Sequence, residues 1–179
     1  ATHLAIRQNY TAMVENIDRW LGVLLEQVRQ RGELDNTLVV YSSDHGEMLG
    51  DQNRWAKSLP FQVSIGVPLA IAGPGVERGI RSDALVSHID LAATFLTAAG
   101  IAAPKQMDSR PLQPLLTGKA RAHREHVRSG LNNWRAVWDG RYKLVRGFHP
   151  DRQYLLFDHS TDPWENTDVA AAQPDVVER

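Results

Sequence analysis

The spacing of apolar positions changes along the chain, and each spacing predicts a different element. From Ile6 to Arg31, the residues Ile6, Tyr10, Met13, Val14, Ile17, Leu21, Leu24, Leu25 and Val28 recur at intervals of three and four. That period predicts an amphipathic helix with its apolar stripe on a sheet. Gly32 is placed to stop it, and Arg29 and Arg31 complement the negative end of its dipole. Leu38-Val39-Val40-Tyr41 is short and rich in β-branched residues, and reads as a buried strand of a parallel sheet. Val67 to Ala72 reads as a second strand, closed by the turn Gly73-Pro74-Gly75, and Ser82 to Val86 as a shorter one. Ser87 is expected to cap a helix buried through Ile89, Ala92, Ala93, Leu96 and Ala99. Asp90 stands in the place of its capping-box acid, and Gly100 ends it.

Lys119 to Glu125 is charged and reads as a linker, and beyond it the period falls to two. Trp134 to Trp138 and Arg141 to Arg146, joined by Asp139-Gly140, predict a β-hairpin, and Tyr154 to Asp158 a further strand. Gln173-Pro174 opens a helix signal that runs to the last residue. The expected architecture is α/β over residues 1–120, with helices on a mainly parallel sheet, then a small antiparallel subdomain over 121–179.

Composition narrows the partners. With 42% apolar and 23% charged residues, the 179-residue chain can bury a core, which excludes a disordered polypeptide. A net charge of −1 offers no general attraction for nucleic acid or an anionic membrane, so an anionic ligand must be drawn in by local charges. No apolar run is long enough to span a bilayer. The absence of cysteine excludes disulfides and thiolate metal sites. Neither an initiator Met nor a signal-peptide pattern opens the chain, and a piece of a longer protein is expected.

The candidate chemistry lies where the first strand ends, in Ser43-Asp44-His45-Gly46. Ligands of open α/β sheets sit beyond the carboxyl ends of strands, so a carboxylate and an imidazole delivered together there suit a metal or substrate. Read alone, Asp44 serves equally as a turn cap with His45 packed beside it. Lys57 follows on a polar loop. It suits either a solvated surface or, near a metal, the capture of an anionic oxygen.

The ordered set of motifs resembles the sulfatase family of the alkaline phosphatase superfamily. The resemblance rests on Ser43-Asp44-His45-Gly46-Glu47-Met48-Leu49-Gly50-Asp51, Lys57, Val67-Pro68-Leu69 with Gly73-Pro74-Gly75, and Val86-Ser87-His88-Ile89-Asp90-Leu91. It continues through Arg141-Tyr142-Lys143-Leu144 and Leu156-Phe157-Asp158 to Asp162-Pro163 with Glu165-Asn166, covering nearly the whole chain. It implies an alkaline-phosphatase-like sandwich whose Asp44 and His45 are the second pair of metal ligands, and whose Lys57 contacts the sulfate group. The implied cofactors are a divalent ion, Ca²⁺ before Mn²⁺ or Mg²⁺, and a formylglycine nucleophile. The implied substrate is a small-molecule sulfate ester.

Two departures stand out. Gln52 occupies a place where the family often carries His, and no Cys/Ser-x-Pro-Ser-Arg nucleophile motif is present: Ser58-Leu59-Pro60-Phe61-Gln62 lacks the Arg. The expectation is therefore the C-terminal portion of a sulfatase, inactive by itself, that associates with itself or with the missing N-terminal part. A phosphonate or phosphate ester hydrolase of the same superfamily is the first alternative. A non-catalytic folding or interaction unit is the second.

Overall fold

A computed structural model describes residues 2–179. Helix α1 spans Thr2–Gln30 and stops at Gly32, whose φ of 72° lets Glu33 N–H reach back to Val28 O at 3.2 Å. Its apolar stripe does not lie on a sheet: none of its residues is buried, and Met13, Trp20 and Leu24 are 58–60% exposed. The reason is size. At 1.5 Å per residue the 29-residue helix is about 43 Å long. Among the described residues, the sheet that follows it in the chain is a ribbon of two four-residue strands, β1 (Val39–Ser42) and β2 (Leu69–Ala72).

These strands pair antiparallel, with Val39 opposite Ala72 and Ser42 opposite Leu69, against the parallel pairing expected from the sequence. A parallel pair needs a substantial crossover element. Between them the chain makes one 3₁₀ turn (Asp51–Asn53) and the four-residue helix α2 (Gln62–Ile65), then returns alongside. Neither strand is enclosed: β1 is mostly half-buried, and β2 is exposed except at Ile71. Residues 82–86 form no strand; Leu85 makes a single bridge to Arg124.

Helix α3 (Asp90–Ala98) begins later than expected, and its buried residues are Asp90, Ala93 and Thr94 rather than the stripe through Ile89, Ala92 and Ala99. The half of the capping box that forms is the acid's: Asp90 Oδ2 accepts Ser87 N–H at 3.0 Å. The inward side is polar because it binds the chain that follows. Asp90 Oδ1 takes Arg110 N–H at 2.9 Å, and Thr94 Oγ1 takes Leu112 N–H at 2.9 Å, before the short α4 (Gln113–Leu116). Arg124 closes a two-pronged ion pair on Asp90, and His123 Nε2 lies 3.2 Å from the same carboxylate. The charged stretch expected to be a linker is thus tied back to α3.

The second sheet is a four-stranded antiparallel meander of β3 (Val127–Leu131), β4 (Trp134–Trp138), β5 (Tyr142–His149) and β6 (Arg152–Asp158). Asp139 shapes the β4–β5 turn by accepting the N–H groups of Arg141 and Tyr142 at 2.9 and 2.6 Å. The last helix, α5, is Pro174–Glu178. The largest apolar cluster joins the two parts: Met48 and Phe61 come from the region between β1 and β2, and Trp134, Ala136, Val145, Leu155 and Phe157 from the meander. Among the described residues no helix is long and apolar enough to cross a membrane.

Candidate functional site

Strand β1 delivers the site and its last residue fixes the strand end. Ser42 Oγ donates to Pro68 O at 2.8 Å and lies 2.9 Å from His88 Nε2. Past it the backbone is held locally: Ser43 Oγ donates to His45 O at 2.7 Å, and His45 N–H donates to Asp44 Oδ1 at 3.0 Å. His45 Nδ1 lies 2.7 Å from Gly46 O. A carbonyl can only accept, so Nδ1 carries the proton, and in the neutral ring the Nε2 lone pair is free. That Nε2 lies 3.6 Å from Asp44 Oδ2, on a carboxylate whose side chain is 85% exposed.

Gly46 follows because nothing larger fits. Its N–H donates to Ser64 O at 2.8 Å, and a Cβ would run into the Val63 carbonyl. The requirement is close approach of two backbones, not a positive φ. Glu47 then turns inward as a backbone clamp, its Oε1 accepting Ala56 N–H at 2.6 Å and Leu49 N–H at 3.3 Å. Met48, fully buried in the cluster described above, donates its N–H to Ala56 O at 2.8 Å.

Lys57 is therefore presented from a fixed segment. On one side Ala56 is held by Glu47 and Met48; on the other, Ser58 O accepts Trp134 Nε1–H at 3.0 Å. Both flanking residues adopt the left-handed region, Ala56 at φ 64° and Ser58 at φ 76°, as do Leu49, Gln52 and Asn53. Such a run of non-glycine residues is costly and persists only where the surroundings impose it. Lys57 itself is exposed, and its charge reaches Asp44. Desolvation pushes the Asp44 carboxyl up, but the His45 imidazole, the backbone N–H groups and the Lys57 ammonium together hold it below the usual carboxylate range.

The three residues singled out from the sequence thus fall in one neighbourhood. An exposed carboxylate oxygen beside a free imidazole nitrogen is a donor pair suited to a divalent cation, and by itself half a coordination shell. Among the described residues no group of three or more His, Asp or Glu side chains completes one. His88 and Asp90 are otherwise engaged, the first at Ser42 and the second inside its ion pair. Gln52 does not replace a histidine at the site. Its Nε2 turns away to Trp164 O and Glu165 O, both at 2.9 Å. A cleft of about 900 Å³ between β2, Ile80 and Leu115 lies elsewhere and includes none of Asp44, His45 or Lys57.

The family model described as Sulfatase matches residues 2–101. The chain is 31% identical to arylsulfatase K of Xenopus laevis over 97% of its own length and 35% of that protein. Among solved structures it is similar to a protein in complex with its substrate D-glucosamine-2-N,6-O-disulfate, with a TM-score of 0.84 and 25% identity over 92% of this chain and 37% of that one. It is also similar to a phosphonate monoester hydrolase from Silicibacter pomeroyi, with a TM-score of 0.80 and 29% identity over 90% of this chain and 36% of that one. The chain thus spans about a third of the length of the relatives it matches, at 35% of the first. With the family match covering more than half the chain, this protein belongs to the sulfatase family.

Proposed function

We propose that the protein supplies the C-terminal part of a metal-dependent sulfate-ester hydrolase, with Asp44 and His45 as half of its metal site. The observation that carries this reading is the free His45 Nε2 lying 3.6 Å from an exposed Asp44 carboxylate held in its ionised form. In this reading residues 1–120 are the end of the α/β catalytic domain and 121–179 the antiparallel subdomain. A bound divalent ion, Ca²⁺ in first place and Mn²⁺ or Mg²⁺ as alternatives, supplies positive charge that polarises the ester's anionic oxygens. Lys57 adds a compact ammonium, carried on a held backbone and reaching Asp44 with its charge, for an oxygen of the same anion. His45 is oriented for its role by the bond from Nδ1–H to Gly46 O. The nucleophile, formylglycine in this reading, and the remaining ligands come from outside these residues.

Mn²⁺ titration followed by NMR tests the metal site. Paramagnetic broadening should centre on Asp44 and His45, and Asp44→Asn should weaken it at least about tenfold. Broadening spread over unrelated carboxylates would refute the assignment. The purified 179-residue chain should hydrolyse no aryl sulfate with any divalent ion added, and metal-dependent turnover would contradict that expectation. The likeness to the phosphonate monoester hydrolase favours a second reading, hydrolysis of a phosphonate or phosphate ester. Assay of the full-length parent on matched sulfate and phosphonate esters separates the two.

A further inference from the structure

The inward face of β5 carries a charge that the site described above does not use. Lys143 is fully buried and pairs with Glu165, whose side chain is 1% exposed. Removing both charges from water is costly, and an apolar pair of the same volume would serve the fold as well or better. Glu165 also sits in the left-handed region at φ 59°. Its carboxylate has two further partners: His159 Nε2 at 2.6 Å on Oε1, and the backbone N–H of Gln62 at 2.7 Å on Oε2. Gln62 opens α2, and the preceding Phe61 has no side chain able to cap it, so Glu165 provides that acceptor from 103 residues away.

The same turn holds the other end of the segment. Gln52 Nε2 donates to Trp164 O and Glu165 O at 2.9 Å each. Gln52 and Gln62 bracket the segment that carries Lys57, and within it Ala56 and Ser58 keep their left-handed backbone. We propose that Glu165 is a positioning residue: from the Asp162–Asn166 turn it clamps both ends of the 52–62 segment, so that the Lys57 ammonium is held toward the anion beside Asp44. The inference rests on the reading of Lys57 as the substrate-anion contact.

The test uses the 179-residue protein and two reporters that flank Lys57 without touching Glu165: exchange of the Ala56 amide and of the Trp134 indole N–H, which bonds Ser58 O. Lys143→Met/Glu165→Met removes both buried charges and the acceptor on Gln62 N–H together, avoiding an unpaired ammonium. Gln52→Ala removes the second hold and leaves the buried pair intact, so it reads the same quantity should the double variant fold poorly. Leu112→Ala is the control, because Leu112 is fully buried away from the segment. Both variants should speed exchange at the two reporters, the double variant at least about tenfold. They should also raise the sulfate concentration needed to shift the Lys57 amide. The control should lower the unfolding midpoint and leave exchange and sulfate response unchanged. Exchange in the double variant that matches wild type, or that moves only as far as in Leu112→Ala, overturns the positioning role. Wild-type protein with no sulfate response at Lys57 refutes the substrate reading instead, while the exchange rates still decide whether Glu165 holds the segment.

Discussion

Met48→Ala should destabilise the protein by about 2–4 kcal/mol and loosen the candidate site at the same time. The magnitude follows from the burial. Met48 is 0% exposed and packs with Phe61, Trp134, Val145, Leu155 and Phe157. The substitution removes Cγ, Sδ and Cε; at about 0.8 kcal/mol per methylene-sized group, transfer alone costs about 2.4 kcal/mol. If the void stays open, the cavity adds to this and brings the total to about 4 kcal/mol, within the range for buried methionines. Met48 follows Asp44-His45-Gly46-Glu47 directly and donates to Ala56 O, so the loss should reach the Asp44–His45 pair as well as the meander. Urea unfolding followed by tryptophan fluorescence is suited to the question, because Trp134 is 6% exposed in the same cluster and its indole bonds Ser58 O. A cost below about 1 kcal/mol with unchanged Mn²⁺ affinity would mean that the meander does not support the site, and the reasoning would fail.

Four further outcomes are expected. Burial pushes the Asp90 carboxyl up, but the Arg124 guanidinium and the N–H groups of Arg110 and Ser87 outweigh it and hold it at about 2; its contribution to stability is therefore complete above the unfolded carboxylate's pKa of about 4 and is lost as pH falls from there towards 2. Urea unfolding across that window should show the decline, and Arg124→Met should cost about 3 kcal/mol at pH 7 by leaving a buried charge unpaired. Gly46→Ala should cost about 2 kcal/mol or more in the same assay, because its methyl meets the Val63 carbonyl and backbone must move to admit it. The exposed stripe of α1, with Leu4, Met13, Trp20 and Leu24 all at least 58% exposed, should drive concentration-dependent association, and sedimentation showing a stable monomer at high concentration would count against that.

Adjacent chemistry was legible in the sequence, and remote support was not. Asp44 and His45 are neighbours off a strand end, so their meeting needs only the strand, and the pattern of Leu38 to Ser42 predicts it. The period-two stretch likewise predicts the β4–β5 hairpin through its Asp-Gly turn. Lys57 was placed by resemblance alone, since nothing local distinguishes a loop lysine that faces a ligand from one that faces water. The pairing of β1 with β2 was misjudged because a buried apolar run reads alike in parallel and antiparallel sheets. Burial of Asp90 and Glu165 was missed because acids are read as surface groups, and the cations that neutralise them, Arg124 and Lys143, lie on other elements. One signal was present. The alternation that turns Val145 inward on β5 turns Lys143 inward too, and an inward lysine demands a buried acid.

The meander is better understood as scaffolding for the site than as an appendage. The loop from Asp44 to Gln62 carries left-handed residues that cannot hold their backbone unaided. Glu47 and Met48 hold part of it from within, and further holds come from beyond residue 121: the cluster that buries Met48 and Phe61, the indole of Trp134 on Ser58, and Glu165 on Gln62. The charged stretch at 123–124 adds a rigid link by fastening itself to Asp90, so the two sheets are connected through salt-bridged α3 and not through a free linker. The change of sheet type near residues 120 and 121 therefore marks where the hydrophobic period changes, while the supports of Lys57 lie on its far side. An acid–imidazole pair made by local sequence and a lysine placed by long-range packing are different constructions, and the second is the more vulnerable to substitutions far along the chain.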